Sequence, residues 1–367
     1  MSGALTTIAV VAAGGGRVRL AQAIVPAPGP GELILRLRGC GLCGTDLGKI
    51  ATAPAAASRQ TSGSSLGAGG STPAEQLKLG HEVVGVVEAA GPGGAPLGSG
   101  ERVVVGHHVP CGACRFCRHD AHSMCPQFRA SNLDPCGFAG LIRVPALNVA
   151  HATFRVPPHL PDEVAIFTEP LGCALRAVRR SQVQPGDRIA VTGAGTMGLL
   201  IAQGVQAAGG HALCLDLRED RLAVARRLGI EATLDASRED LTAALRAWTE
   251  GGGLDGAILT AASPALLAAL LASLRDGGHL NLFAAPAPAA PYAIDLGQIY
   301  ARELTIRSTY SSTPEELAQA LNLLASGAVR ADGLVTHRLP FHRFDEGIEL
   351  QRTGRALKVL FYPGDEA

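Results

Sequence analysis

The sequence predicts an α/β protein of two domains, a barrel-like all-β unit followed by a doubly wound parallel sheet. Three observations carry that expectation: a length of 367 residues, a change of texture near residue 158, and a glycine-rich strand-to-helix turn beyond it. A chain of this length exceeds one ordinary hydrophobic core and suits two. Hydrophobic residues make up 47% and charged residues 17%, so burial can offset chain entropy without disorder or a membrane. Lysine plus arginine equals aspartate plus glutamate, at 32 each. That balance leaves no electrostatic footprint for nucleic acid or an anionic lipid surface.

The first thirteen residues are apolar enough to suggest a signal peptide, but no cation precedes the run and Arg17 follows it. β-Branched residues, then Gly14-Gly15-Gly16 and Val18-Arg19-Leu20, read better as strand, turn and strand. A cytoplasmic protein is therefore expected, and no uninterrupted apolar stretch reaches membrane-spanning length. Up to residue 157, strand-like runs such as 33–37 and 83–87 are punctuated by turns, as in a barrel. Within that unit, Ala, Ser, Gly, Thr and Pro dominate 50–77, the composition of a surface loop with no core of its own.

From residue 158 onward, strands alternate with helical patterns. Residues 188–192 read as a strand, 197–208 as a helix, 211–215 as a strand and 219–228 as a helix. The alternation continues through 256–259, 264–274 and 278–283, as a parallel sheet with crossover helices requires. Residues 335–341 and 356–361 look like strands again. Their return to the first unit would give domains of 1–157 with 328–367, and 158–327.

Gly193-Ala194-Gly195-Thr196-Met197-Gly198 matches the dinucleotide pattern G-x-G-x-x-G. In a chain with 46 glycines the match alone is weak. Its position after a strand and at the start of a helix is what phosphate binding needs. Gly193 suits the tight turn, Gly195 lets a pyrophosphate approach the backbone, and Gly198 lets the helix pack on the sheet. Asp216 ends the next strand, at the spacing where a carboxylate grips the ribose hydroxyls and repels a 2′-phosphate. NAD is expected over NADP. Arg218 is a mild counter-signal that reads more simply as a solvated charge at a helix start.

Nine cysteines in such a chain argue for metal ligation over a disulfide framework. Four of them, Cys111, Cys114, Cys117 and Cys125, fall within fifteen residues with Pro110, Gly112 and Pro126 shaping the turns. Four soft ligands fill a tetrahedral zinc and leave no open position, so the expected role is structural. An iron–sulfur cluster suits the same spacing and is the rival reading.

Two further motifs are Gly41-Leu42-Cys43-Gly44-Thr45-Asp46 and Gly80-His81-Glu82. Together with the cysteine lobe, Glu169-Pro170-Leu171 and the glycine turn, they occur in the order found in zinc-dependent medium-chain dehydrogenases. The chain resembles that family over essentially its whole length. Glu82 and the Glu-Pro-Leu element look most like sorbitol (L-iditol 2-) and threonine dehydrogenases, as does the 107–111 segment for iditol dehydrogenase-like members.

The resemblance implies a GroES-like β-barrel catalytic domain and a Rossmann NAD-binding domain, two zinc ions per chain and a homodimer or homotetramer. Cys43 and His81 would hold the catalytic zinc. Glu82 and Glu169 would complete its shell, one directly and one through water, and which does which stays open. Cys173 reads as a buried helix cysteine rather than as a third ligand. Asp46 would fix the His81 tautomer. Thr45 would accept the substrate proton from an alcohol acidified by zinc, and hydride would pass to the nicotinamide. The expected activity is oxidation of a secondary alcohol or polyol. Threonine-type amino alcohols, sugar phosphates and aminocyclitols stay open as substrates.

Two departures from the family stand out. Gly48 occupies the position where many members carry a relay histidine, and the Cys43-to-His81 gap is lengthened by the 50–77 segment. Two other readings compete. A zinc-free alkene reductase is opposed by the intact Cys43, His81 and Glu169. An NAD(H)-sensing protein on a retired fold is opposed by retention of every ligand.

Overall fold

The computed structural model describes residues 4–54, 77–93, 97–237, 240–284 and 292–364. Most of the Ala/Ser/Gly-rich 50–77 segment lies outside them. The chain divides into two compact units. One comprises Met1–Glu169, Thr313–Ala325 and Asp332–Ala367, and the other Pro170–Ser312 with Ser326–Ala331.

In the first unit, Leu5–Gly14 and Arg17–Val25 form an antiparallel hairpin. Its turn is three consecutive glycines with φ of 81°, 60° and 75°, a left-handed run that residues bearing a Cβ resist. The N-terminal strand, turn and strand read from the sequence are thus present. A seven-stranded sheet follows. Its main path runs through Val335–Pro340, Lys358–Tyr362, Leu33–Gly41, Glu82–Ala90, Arg102–Val105 and Thr153–Arg155, with Leu141–Val144 also on Leu33–Gly41. Inward-facing Leu33, Leu35, Val83, Val103, Phe138 and Phe361 build its core. Phe344 stacks on Phe361 at 4.1 Å, and Phe138 meets both edge-on.

This unit is not all-β. Helices Gly44–Thr52, Ala146–Ala152, Pro314–Ala325 and Phe344–Arg352 belong to it. Pro314–Ala325 lies between two segments of the second unit in sequence, yet its Leu317 packs with Val109 and Ala152 of the first. Tertiary burial decides that placement, and no local pattern records it.

The second unit holds a six-stranded parallel sheet. Its order is Ala232–Asp235, His211–Asp216, Arg188–Thr192, Leu254–Leu259, Leu274–Leu282 and Thr305–Ser308. Helices Thr196–Ala207, Glu219–Arg227 and Pro264–Ser273 connect strands, within a residue or so of the sequence reading. Among the described residues no helix is long and apolar enough to cross a membrane.

Candidate active site and cofactor site

Strand Leu33–Gly41 ends just before Cys43, which caps the N-terminus of helix Gly44–Thr52. The thiol therefore stands at the positive end of a helix. Asp46, fully buried, joins this helix to the loop carrying the histidine. Its Oδ2 accepts the Cys43 N–H at 3.2 Å and its Oδ1 accepts the Gly80 N–H at 2.9 Å. Oδ1 also lies 3.6 Å from His81 Nδ1. That leaves Nε2 facing Thr45, whose Oγ1 is 3.4 Å away. Gly80 has a φ of 79°, and a Cβ there would come within 2.7 Å of Phe138, so glycine alone permits this approach to His81.

One ligand atom each from Cys43, His81 and Glu82 lie within 4.8 Å of one another. Burial disfavours charge on His81, but Asp46 and Cys43 outweigh it and hold the imidazole pKa well above its ordinary value. Burial likewise raises the Asp46 carboxyl, and His81 more than reverses this, so its pKa falls below the ordinary value. The cluster is thus a negative field seeking a cation at the ring, and thiolate, imidazole and carboxylate are the donor types zinc accepts. A bound zinc fits here.

Lys358 was not legible as part of this site. Its Nζ, buried with the rest of its side chain, contacts both Glu82 oxygens at 2.6 and 2.7 Å and the Leu42 carbonyl at 3.2 Å. Burial lowers the ammonium pKa, but Glu82 and then Cys43 hold it above its usual value. The signal was a single cation at the start of the otherwise apolar strand Lys358–Tyr362, because a buried charge requires a buried partner. A Cβ on Gly41 would fall 1.9 Å from Glu82 Oε2, so this glycine makes room for the carboxylate.

Glu169 sits in the first turn of helix Thr168–Arg180, nearly buried, beside a cavity of about 10 Å³ lined by Val83, Val105, Ala165 and Leu317. Neither it nor buried Cys173 belongs to the three-residue cluster. His107 and His108 extend the site differently. The His107 ring lies 4.8 Å from that of His81 and 3.9 Å from that of His108, which packs on Phe128 at 4.6 Å. Burial lowers the His107 pKa well below its ordinary value and that of His108 to about 4.

The four cysteines of the lobe, all free thiols, also come within 4.8 Å of one another. Cys111 Sγ and Cys114 Sγ stand 3.9 and 3.6 Å from Cys117 Sγ. Ligands about 2.3 Å from a tetrahedral zinc are about 3.8 Å apart, so one zinc fits the cage. An iron–sulfur cluster interposes several atoms between its cysteines and holds them farther apart. Backbone N–H groups also point at sulfur. Burial raises the Cys125 thiol, but the Cys111 and Phe128 amides more than compensate and bring it to about 6.

In the second unit, Gly193 has a φ of 84° and a Cβ on Gly198 would fall 1.7 Å from the Gly193 carbonyl. A Cβ on Gly195 would meet nothing within 4 Å, which leaves the start of helix Thr196–Ala207 open to a phosphate. Met197 is in the same first turn. Asp216 accepts the Ala194 and Arg218 N–H groups at 2.6 and 2.9 Å. It borders a cavity of about 580 Å³ lined also by Thr192, Gly193, Ala261, Ser263 and Leu266. The Arg218 guanidinium is held by Asp220 at 2.6 and 3.0 Å. A dinucleotide fits this cradle.

The family model described as "Alcohol dehydrogenase GroES-like domain" matches residues 29–157, and "Zinc-binding dehydrogenase" matches 196–326. An L-threonine 3-dehydrogenase of Pyrococcus abyssi is 30% identical over 350 residues, 93% of this chain and 94% of the relative. The chain belongs to the zinc-dependent medium-chain dehydrogenase family. As a member of that family it is an oxidoreductase with a GroES-like domain and a Rossmann-type parallel-sheet domain. Among solved medium-chain dehydrogenases, the alcohol dehydrogenase of Thermus sp. ATN1 is 29% identical, with a TM-score of 0.76 over 97% of this chain and 99% of that one. A Sinorhizobium meliloti 1021 zinc-binding dehydrogenase, bound to NADP, is 25% identical with a TM-score of 0.82 over 98% of this chain and 100% of that one.

Proposed function

We propose that this dehydrogenase moves hydride between NAD and a secondary alcohol or polyol, taking alcohol to ketone, with two zinc ions per chain. The observation that carries it is the convergence of Cys43, His81 and Glu82 within 4.8 Å at a helix N-terminus. Cys43 and His81 hold the catalytic zinc. Glu82 and Glu169 complete the shell, one directly and one through water: Glu82 lies in the cluster but has Lys358 on both oxygens, and Glu169 lies outside it. Cys111, Cys114, Cys117 and Cys125 hold the structural ion. The proposed catalytic domain follows the first unit, 1–169 with 313–325 and 332–367, and the cofactor domain the second, 170–312 with 326–331. Nine cysteines used as thiols suit a cytoplasmic protein. Exposed Leu296 and Tyr300 offer apolar surface for assembly as a homodimer or homotetramer.

When bound, zinc would supply a Lewis acid to acidify the substrate hydroxyl and NAD would supply the hydride acceptor. Thr45 would accept the hydroxyl proton while handing its own on to ribose hydroxyls and water, Asp46 holds the His81 ring with Nε2 toward Thr45, and Lys358 pairs with both Glu82 oxygens. Thr45→Ala is expected to retain both zincs and lose turnover about 10²–10⁴-fold, the usual range for a lost acid–base group. Thr45→Ser should keep most of the activity, because the hydroxyl survives. Equal loss in both variants, read by steady-state kinetics, would remove Thr45 from the proton path.

Asp216 is proposed to select NAD, since Arg218 is occupied by Asp220. Asp216→Ser should narrow the NAD-over-NADP ratio of kcat/KM by about 1–3 kcal/mol, the value of a charged hydrogen-bonding group. A wild-type preference for NADP would contradict this assignment.

A second reading is a threonine-type amino-alcohol dehydrogenase, favoured by curated relatives of that name at 29–30% identity over more than nine-tenths of the chain. A screen of polyols, simple secondary alcohols and threonine with NAD, followed by NADH absorbance, tests both. Turnover of an uncharged secondary alcohol or polyol above threonine supports the first reading. No turnover of any alcohol by zinc-loaded protein would contradict both.

A further inference from the structure

His107 leaves strand Arg102–Val105 through Gly106, and its backbone is pinned. The Asn148 side-chain amide donates to the Gly106 and His107 carbonyls at 2.9 and 3.0 Å, and Gly106 N–H donates to Ala152 at 2.7 Å. Its ring is held between two others, His81 and His108. His108 is committed, with Nδ1 on the Ser131 carbonyl at 2.6 Å and its ring against Phe128. His107 differs. Among the described residues its ring makes no hydrogen bond, and the residue is only partly buried. A rigidly held ring with an uncommitted N–H, next to the metal-binding histidine, is placed to meet a substrate. Among the described residues it makes no hydrogen bond to Thr45 or Asp46, so it stands outside the proton path proposed above.

We propose that His107 determines specificity by donating a hydrogen bond to a second hydroxyl of the substrate, on the carbon next to the reacting carbinol. The substrate class is then an uncharged vicinal diol or polyol. This rests on the alcohol-oxidation reading above and narrows it. Of the cationic groups that act on the His107 ring, His81 would be taken up by the metal and Lys49 is already engaged, so neither is offered to a substrate carboxylate. The Lys49 ammonium is bound to the Lys78 carbonyl at 2.8 Å.

The test compares 2,3-butanediol with 2-butanol for wild type, His107→Phe and His107→Gln, alongside zinc content, NADH binding and diol binding to the NADH complex by calorimetry. Phenylalanine keeps a ring in the stack and removes the hydrogen bond, whereas glutamine keeps a donor. Wild type should prefer the diol. His107→Phe should lose about 10–100-fold in kcat/KM for the diol, mostly through KM, with weaker calorimetric binding and 2-butanol little changed. His107→Gln should recover much of the preference, and zinc content should not change in either. Equal losses for both alcohols, a fall in kcat alone, or no diol preference in wild type would overturn the role of His107 while leaving alcohol oxidation standing. A zinc-replete wild type that oxidises neither alcohol overturns both.

Discussion

Cys43→Ser should lower alcohol turnover by about 10³-fold or more, because the several kcal/mol by which a metal stabilises the developing alkoxide is lost with a thiolate ligand. His81→Ala should do the same. Neither variant should change NADH binding, since Gly193, Gly195, Gly198 and Asp216 belong to the other structural unit. The measurement is turnover against NADH titration by fluorescence on the same samples. The two variants separate chemistry from cofactor binding in a way a destabilised fold would not. Retention of full activity in Cys43→Ser lacking the catalytic zinc would remove this site from the reaction.

The second large effect concerns stability. Lys358→Met removes the ammonium that contacts both oxygens of a fully buried Glu82. Breaking a buried pair by deleting one partner leaves an uncompensated charge and costs about 3–5 kcal/mol. Glu82→Gln combined with Lys358→Met removes both charges, and should recover most of that loss in denaturant unfolding. Recovery is the informative arm, because it separates a stranded charge from poor packing of methionine. A double variant as unstable as Lys358→Met alone would show that Glu82 is not what the lysine compensates. Zinc affinity at the Cys43 site should change in Lys358→Met, which alters the net charge beside His81, and less in the double variant, which does not.

How much was legible depends on whether the chemistry is local in sequence. Cys111, Cys114, Cys117 and Cys125 could be read because one loop supplies all four ligands. The glycine turn could be read because a strand, three small residues and a helix start must be contiguous to cradle phosphate. Asp46 was legible as a partner of His81 only through resemblance. Its dual hydrogen bonds to Cys43 and Gly80, 34 residues apart for the latter, are visible only in the fold. Lys358 was missed because it lies 276 residues from Glu82, and strand pairing alone brings it there. Helix Pro314–Ala325 was placed by sequence order with the second unit, whereas Leu317 buries against Val109 and Ala152. His107 was seen only as part of a resembling segment, since a histidine pair carries no period or spacing that announces a ring stack. Gly48 reads as a missing relay histidine. A Cβ at this position would meet nothing within 4 Å among the described residues, so its side of the helix can accept a larger residue.

Zinc stoichiometry tests the central claim most directly, because Cys43–His81 and the cysteine lobe share no ligand. Elemental analysis should find close to two zinc ions per chain in the wild type, one in Cys43→Ser and one in Cys125→Ser, with only Cys43→Ser keeping the ion at the lobe. One zinc in the wild type, iron in place of zinc at the four cysteines, or an unchanged content in Cys43→Ser would contradict a catalytic zinc held by Cys43 and His81.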